Sequence, residues 1–270
     1  MIAETDFFRS RDYERDGPSW RSRRLGPITD ALFGLPLALR GATGRVTREA
    51  QQLPVQRVLV ASVNVPHREA ELEKVLVALQ RTRHDVTVAL APVGDRGKFH
   101  NINLALDQHD ISAFDWLIVT DDDIAFPPGF TDNFLYLATK ANLHLCQPAH
   151  QFHSFNRFLL TYRMWNSLVR LTNFVESGPI TAFRRDSFGL LLPFPELRWS
   201  WGVDITWSEI GRRHDLRLGI IDATPIEHLK PISSNYDYRI AIAEAMEFLQ
   251  QQGVTSSKKD ILKNRGVVPI

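Results

Sequence analysis

Short apolar runs alternate with polar segments along the first half of the chain, and this pattern predicts strands and helices in turn. Residues 55–63 and 86–91 are rich in β-branched side chains, and Trp116–Thr120 is a third run that is apolar on both faces. Helix-periodic stretches at 68–80 and 101–106 separate the runs. Strand, helix, strand, helix, strand at this spacing predicts an α/β fold with parallel strands, whose ligands collect beyond the carboxyl ends of the strands.

The second half and the ends of the chain have weaker patterns. We predict helices at about 132–141, 205–213 and 239–251, and a strand at 216–221. Residues 1–53 lack strand alternation and are interpreted as an N-terminal extension with one or two short helices. The main domain is then 54–235, and 236–270 form a terminal helix and a tail that is mobile or loosely packed after Gly253.

Composition narrows the classes of function. The 270 residues are 44% hydrophobic and 23% charged, as expected for a globular protein with a full core. Lys and Arg number 32 against 31 Asp and Glu, so no strong net charge favours nucleic acid as a partner. Cys146 is the single cysteine, which suits a reducing compartment.

The N-terminal region carries no pattern typical of a signal peptide and no apolar run long enough to span a membrane. A cytoplasmic protein is therefore expected. Residues 28–39 form the most apolar stretch and are flanked by Arg21, Arg23, Arg24, Arg40 and Arg45. Peripheral contact with an anionic membrane is one interpretation, and a helix packed on the main domain or on a second subunit of a homodimer is the other.

Three aspartates, Asp121, Asp122 and Asp123, come directly after the run Trp116–Thr120. Like charges a few Å apart repel, so such a cluster is unfavourable unless a cation or helix dipoles neutralise it. Mg²⁺ and Mn²⁺ bind carboxylate oxygens together with substrate phosphates. Alternation along an extended chain predicts Asp121 and Asp123 on one side and Asp122 on the other. The alternative is a solvated acidic loop.

The aromatic loop at 192–204 is the second informative segment. Aromatic faces pack against the C–H faces of sugar rings, so Trp199 and Trp201 form a candidate acceptor platform. Asp204 is a candidate general base for a hydroxyl group. The competing interpretation makes Asp204 the N-cap of the following helix, with Thr206 and Glu209 as a capping box.

Residues 116–130 (WLIVTDDDIAFPPGF) resemble the DxD region of the GT-A glycosyltransferases, in which the acidic motif holds a metal and the diphosphate of a nucleotide sugar. The resemblance extends over about 55–229. It implies a single GT-A domain, which is a Rossmann-like, mixed, mostly parallel sheet with helices on both faces, preceded here by the helical extension.

The same resemblance implies roles for several other segments. The first strand and its loop would bind the donor through Ser62, Asn64 and His67. The segment 97–103 resembles the family's G-K-x-x-x-x-N element, with Lys98, Asn101 and Asn103 directed at the donor. The alternative is an exposed lysine and a helix-start asparagine. Glu176 and Gly178 fall where the acceptor-side half begins, Glu176 being the reserve candidate for the base.

Two further residues complete the implied site. The string Trp201-Gly202-Val203-Asp204 resembles the motif that carries the base in several inverting GT-A families. His228 lies where many members supply a metal-ligating histidine, and the alternative is a histidine bonded to backbone in a buried loop. The implied metal is Mn²⁺ or Mg²⁺, held by Asp123, His228 and Asp121.

The resemblance implies a metal-dependent, inverting transfer of sugar from a nucleotide-diphosphate sugar to a glycan or other hydroxyl acceptor. UDP-sugars are favoured because the family most often uses them. Two alternatives stay open, a nucleotidyltransferase and a catalytically inactive domain that binds glycan or a partner protein. A nucleotidyltransferase usually has a glycine-rich loop after its first strand, whereas residues 62–66 contain no glycine.

Overall fold

The structure is a computed structural model that describes residues 20–231 and 237–270. Its α-helices are α1 (Trp20–Leu39), α2 (Ala42–Ala50), α3 (Glu69–Gln80), α4 (Lys98–Leu106), α5 (Phe130–Lys140), α6 (Phe188–Leu191), α7 (Val203–Arg213), α8 (Tyr238–Gln251) and α9 (Lys258–Ile261). Its strands are β1 (Arg57–Asn64), β2 (Asp85–Pro92), β3 (Trp116–Thr120), β4 (Ile124–Ala125), β5 (Leu145–His150), β6 (Val169–Thr172), β7 (Ile180–Arg184), β8 (Leu218–His228) and β9 (Asn264–Val267).

One mixed sheet organises the chain, in the order β2-β1-β3-β7-β5-β8-β6-β9, with β4 pairing β8 off this path. β1 pairs in parallel with β2 and β3, and β5 with β8, while the remaining pairings are antiparallel. These pairings make β1, β2, β3, β5, β8 and β9 run in one direction. The predicted α/β fold with a mixed, mostly parallel sheet is confirmed.

Strand β3 lies inside the sheet and has the bounds that the sequence predicted. All five of its residues are buried, because its two faces contact different halves of the core. Leu117 and Val119 pack into one hydrophobic cluster, and Trp116 and Ile118 pack into the other. The alternation of side chains along a strand thus places core on both faces, and the carboxyl end of β3 delivers the three aspartates.

Strand β8 is longer than the predicted 216–221. Its first part pairs with β5 and β6, and its last part continues past the main sheet to pair with β4, with His228 opposite Ile124. The expectation that His228 follows the strand is therefore wrong. The antiparallel register with β4 fixes His228 beside the acidic triplet.

The prediction of a mobile or loosely packed tail after Gly253 is also wrong. Ser257 caps α9 by accepting a hydrogen bond from the Asp260 N–H, and β9 adds to the edge of the sheet by pairing with β6. Val254 and Ile261 are buried in the core. These two apolar side chains explain the order, because burying them offsets the entropy of fixing a short segment.

Within residues 20–53, the N-terminal extension forms the helices α1 and α2, and α1, with 20 residues, is longer than the short helix that was expected. In the described residues, no helix is both long and apolar enough to cross a membrane. The domain boundary after residue 53 stays a prediction. Residues 1–19, which include the segment considered for a signal peptide, and the boundary after 235 lie outside the described residues.

Gly97, which precedes α4 and Lys98, offers a test of the packing behind the site. A Cβ at Gly97 would lie 1.8 Å from the carbonyl oxygen of Leu197, whereas a Cβ at Gly94 would meet nothing within 4 Å. We expect Gly97→Ala to cost about 2–3 kcal/mol and lower Tm by about 5–10 °C. The matched variant Gly94→Ala should leave the thermal unfolding curve nearly unchanged; equal curves for the two variants would contradict the close contact.

Candidate active site

A cavity of about 660 Å³ opens beyond the carboxyl ends of β1 and β3. Its lining contains equal numbers of acidic and strongly basic side chains. The acids are Asp121, Asp122, Asp123, Glu176 and Asp204, and the bases are Arg68, Arg96, Lys98, Arg157 and Lys230. This position matches the rule that α/β sheets bind ligands beyond their strand ends.

Each aspartate of the triplet has a cationic or ionisable partner from a different part of the chain. Lys98 Nζ lies 2.7 Å from Asp121 Oδ1, and Arg68 Nη2 lies 2.6 Å from Asp122 Oδ1. His228 Nε2 lies 3.3 Å from Asp123 Oδ1. All three aspartates line the same cavity, so the expectation that Asp122 points to the opposite side is wrong. The chain turns after β3 instead of staying extended.

Burial and these partners change the acidities of Asp122, Asp123 and His228. Burial raises the pKa of Asp122, against the opposing charge of Arg68. Burial alone would also raise the pKa of Asp123, but the hydrogen bond from His228 and the positive charges of His228, Arg68 and Lys230 together outweigh it and lower the pKa. Burial alone would lower the pKa of His228, but the hydrogen bond to Asp123 and the negative charges of Asp123, Asp121 and Glu176 together raise it. A positive charge between these two side chains is therefore stabilised.

Asp123 and His228 fit a divalent cation as a pair of ligands. The His228 Nδ1 lies 3.2 Å from the Phe155 carbonyl oxygen, and its backbone N–H donates to Ser154 Oγ. A carbonyl partner on Nδ1 directs the lone pair of Nε2 toward Asp123, which is the usual support of a metal-bound histidine. Within residues 20–231 and 237–270, no three His, Cys, Asp or Glu side chains form a metal-binding cluster. Asp121, the predicted third ligand, is paired with Lys98.

Asp204 lies in the first turn of α7, directly at the cavity. Gly202, with a left-handed φ of 86°, is the N-cap, so the interpretation of Asp204 as the cap is wrong. The capping box is absent because Thr206 Oγ1 donates to the Val203 carbonyl and Glu209 accepts from the Ser256 N–H. The Asp204 side chain lines the cavity, and its Oδ1 accepts a hydrogen bond from the Ile205 N–H at 2.9 Å.

The acidity of Asp204 is strongly altered. Burial, followed by the negative charge of Glu176, raises its pKa to about 7. The charge of Arg157 and the N–H groups of Ile205 and Ser177 oppose this shift. A carboxyl group that titrates near neutral pH can accept a proton and release it again, as a general base requires.

Glu176 lies beside Asp204 but has several partners of its own. Its backbone N–H donates to Gln147 Oε1, and Thr161 Oγ1 donates to its carboxylate at 3.5 Å. His150 Nε2 lies 3.6 Å from Glu176 Oε2. These contacts hold Glu176 in place. Asp204 is the better candidate base because its pKa is raised to about 7.

Of the two tryptophans predicted to form the aromatic platform, one lines the cavity. Trp201 lines the cavity, with the Arg157 guanidinium 3.8 Å from its ring centroid. Trp199 does not line the cavity, because Glu244 of α8 accepts hydrogen bonds from the backbone N–H groups of Arg198 and Trp199 and holds this part of the loop away.

Besides Asp121, Asp122 and Trp201, four further predicted residues of the donor and acceptor regions line the cavity: Ser62, Lys98, Asn101 and Gly178. A Cβ at Gly178 would lie 3.2 Å from Asp121 Oδ2 and 3.6 Å from Lys98 Nζ, so only glycine leaves this pair undisturbed. Gly178 therefore lies beside Asp121 and Lys98.

The other predicted donor residues lie outside the cavity. Asn103 forms two hydrogen bonds with the backbone of Phe194, and this structural role explains its burial. His67 is exposed in a left-handed turn with φ of 68°, and Asn64 ends β1 opposite Pro92 without reaching the cavity. Strand-end loops are too variable for their contacts to be predicted by position alone.

Sequence reasoning missed Arg68, His150 and Arg157. The chain has 32 Lys and Arg residues, and no motif distinguishes Arg68 or Arg157 among them. His150 and His153 were visible as a close pair, but only the fold shows that His150 reaches Glu176 while His153 contacts Asp30 of α1.

No protein-family model and no curated protein matches this chain. Solved structures show distant similarity. A mutant of Drosophila β1,4-galactosyltransferase 7, in complex with manganese, UDP-Gal and xylobiose, is 17% identical with a TM-score of 0.46, covering 70% of this chain and 79% of that chain. TarS of S. aureus, in complex with UDP-GlcNAc, is 13% identical with a TM-score of 0.49, covering 73% and 65%. GalNAc-T7 with UDP, GalNAc and Mn²⁺ is 10% identical with a TM-score of 0.46, covering 73% and 48%. Such distant similarity assigns no reaction, which has to be deduced from the site.

The buried charge of Asp204 gives a stability test. Its folded pKa of about 7 exceeds the value of about 4 in an unfolded chain, so the folded state binds more protons between these values and stability falls as pH rises through this window. We expect the free energy of unfolding of Asp204→Asn, relative to that of the wild type, to increase by about 2 kcal/mol when the pH is raised from about 5 to about 8. Urea unfolding at both pH values measures this difference. The exposed variant Asp95→Asn is the control, and a pH-independent gap for Asp204→Asn would refute the buried charge.

Proposed function

We propose that this protein is a metal-dependent glycosyltransferase of the GT-A type, which moves a sugar from a nucleotide-diphosphate sugar to a hydroxyl acceptor with inversion. One observation carries the proposal: a single cavity is lined by the acidic triplet after β3 and by Asp204, a carboxyl group whose pKa is about 7. An inverting transfer requires both a site for the leaving diphosphate and a base for the incoming hydroxyl group.

The donor end of the cavity is assigned to the side of the triplet. Asp123 and His228 would hold Mn²⁺ or Mg²⁺, which when bound neutralises charge on the diphosphate. Lys98 and Arg68, now paired with Asp121 and Asp122, are the nearest cations for phosphate oxygens. A UDP-sugar is the favoured donor because of the sequence resemblance alone.

The acceptor end is assigned to Trp201 and Asp204. Asp204 takes the proton of the acceptor hydroxyl group as its oxygen forms a bond to the anomeric carbon. The bond from that carbon to the diphosphate oxygen breaks, and the nucleoside diphosphate leaves with the electron pair. Attack from the face opposite to the leaving group inverts the anomeric centre. Trp201 offers an apolar surface to the acceptor sugar.

The alternative of a nucleotidyltransferase is less well supported. Such an enzyme usually has a glycine-rich loop after its first strand, whereas residues 62–66 contain no glycine. Hydrolysis of a UDP-sugar donor in the presence of Mn²⁺ tests the other alternative, a catalytically inactive binding domain, because an inactive domain would release no UDP.

The metal pair is tested by binding. We expect Asp123→Ala and His228→Ala each to weaken Mn²⁺-dependent binding of UDP by at least about tenfold, because each removes one of two protein ligands. Isothermal titration of UDP with Mn²⁺, repeated with a chelator, measures the effect. His214→Ala, an exposed histidine at the end of α7, is the control. Unchanged binding in both site variants would remove the metal assignment.

The base is tested by turnover. We expect Asp204→Asn to lower kcat by at least about 100-fold while UDP binding stays within about twofold, because Asn keeps the shape and loses the basicity. In the wild type, kcat/KM should fall about tenfold per pH unit below about pH 7, where Asp204 becomes protonated. Steady-state rates over a pH series check both statements. Full turnover in Asp204→Asn would transfer the role to another group.

A further inference from the structure

Helix α1 has two opposite faces with different surroundings. One face packs on the main domain through residues spaced three or four apart: Gly26, Asp30, Phe33 and Leu37. Asp30 and Leu37 are buried, and Asp30 Oδ2 accepts a hydrogen bond from the Phe152 N–H at 3.0 Å. The ring of Phe33 lies 4.6 Å from that of Phe152. This face has its partner within the chain.

The packed face also fixes the rotation of the helix. A Cβ at Gly26 would lie 2.6 Å from the Cβ of His153, so the helix backbone lies directly on the segment after β5. The same segment contributes the Phe155 carbonyl that supports His228. Arg23 lies 5.1 Å from the Phe155 ring centroid, at the start of the same face. Hence the opposite face of α1 has a defined direction, away from the protein.

That opposite face is a continuous apolar stripe. It consists of five residues whose spacing alternates between three and four, so they follow one side of the helix. Their exposed fractions are far too large for packed side chains: Leu25 55%, Ile28 59%, Leu32 53%, Leu35 46% and Leu39 77%. Single exposed leucines are ordinary, but five in one stripe mark an interaction surface.

The charges around the stripe identify its partner. The only acidic residue of α1, Asp30, is buried on the packed face, while Arg24 and Arg40, which directly precede and follow the stripe, are exposed. Trp165, which contacts Phe33 edge-on, is 52% exposed beside the helix. Exposed leucines and an aromatic ring flanked by arginines are typical of a helix that lies on an anionic bilayer. A second copy of the chain fits less well, because α1 itself has no exposed acidic side chain to match the arginines of a paired stripe.

We propose that α1 binds an anionic lipid surface through the stripe Leu25, Ile28, Leu32, Leu35 and Leu39. The five side chains enter the boundary between headgroups and acyl chains, and the flanking arginines contact the lipid phosphates. The opposite face keeps its contacts with the segment after β5. This surface lies on the outside of the N-terminal extension and does not depend on the proposed reaction.

Vesicle co-sedimentation tests the proposal with the full chain. We expect wild-type protein to sediment with phosphatidylcholine vesicles that contain phosphatidylglycerol, to bind pure phosphatidylcholine vesicles much less, and to dissociate as salt is raised. Ile28→Ser with Leu32→Ser should weaken binding at least about tenfold. The matched control is Leu104→Ser with Ile240→Ser, because these side chains are exposed by 41% and 57% on other helices.

Each outcome of this experiment either supports or overturns the lipid-binding proposal. Loss of binding in the stripe variant alone, with an unchanged circular dichroism spectrum, supports the proposal. Equal binding by the stripe variant and its control, or no binding of the wild type to anionic vesicles, overturns it. A lipid-free dimer in multi-angle light scattering that the stripe variant converts to monomer would assign the stripe to a second copy and also overturn it. Should the stripe variant unfold, the salt dependence and lipid preference of the wild type still decide.

Discussion

The site depends on one constraint, the crowding of three carboxylates at the end of a buried strand. Their mutual repulsion has to be balanced locally, and the chain does so with three separate elements. The loop after β1 brings Arg68, the start of α4 brings Lys98, and the end of β8 brings His228. The elements that carry Arg68, Lys98 and His228 must therefore all meet at the carboxyl end of β3. The cavity is the space that remains between them.

A second feature of the site works against stability. Asp204 and Glu176 are both buried, and their negative charges disfavour each other. A fold selected for stability alone would replace one of them with a neutral side chain. A cavity in which burial shifts the pKa of a carboxyl group toward neutral pH is characteristic of sites that handle protons.

The sequence predicted those parts of the fold that local patterns determine. The apolar run of β3 and the periodicity of α7 are strong signals, and their bounds were confirmed within two residues. Contacts between residues distant in sequence were harder to predict, because nothing near Asp122 in the sequence indicates that Arg68 is its partner. Asn103 looked like a ligand group until the fold showed its two bonds to Phe194. Tertiary contacts also ordered the tail, whose two buried side chains are too few to form a recognisable pattern.

The length of strand β8 sets the position of His228 relative to the core. Its early residues are locked between β5 and β6, and its last residue stands opposite Ile124 of β4. Successive side chains of a strand point to opposite faces, so a one-residue insertion in the middle of β8 would turn His228 away from Asp123 without disturbing a single core contact upstream. Insertions are therefore expected to be tolerated at the helix ends and loop tips, while the stretch from Leu218 to His228 has to keep its length.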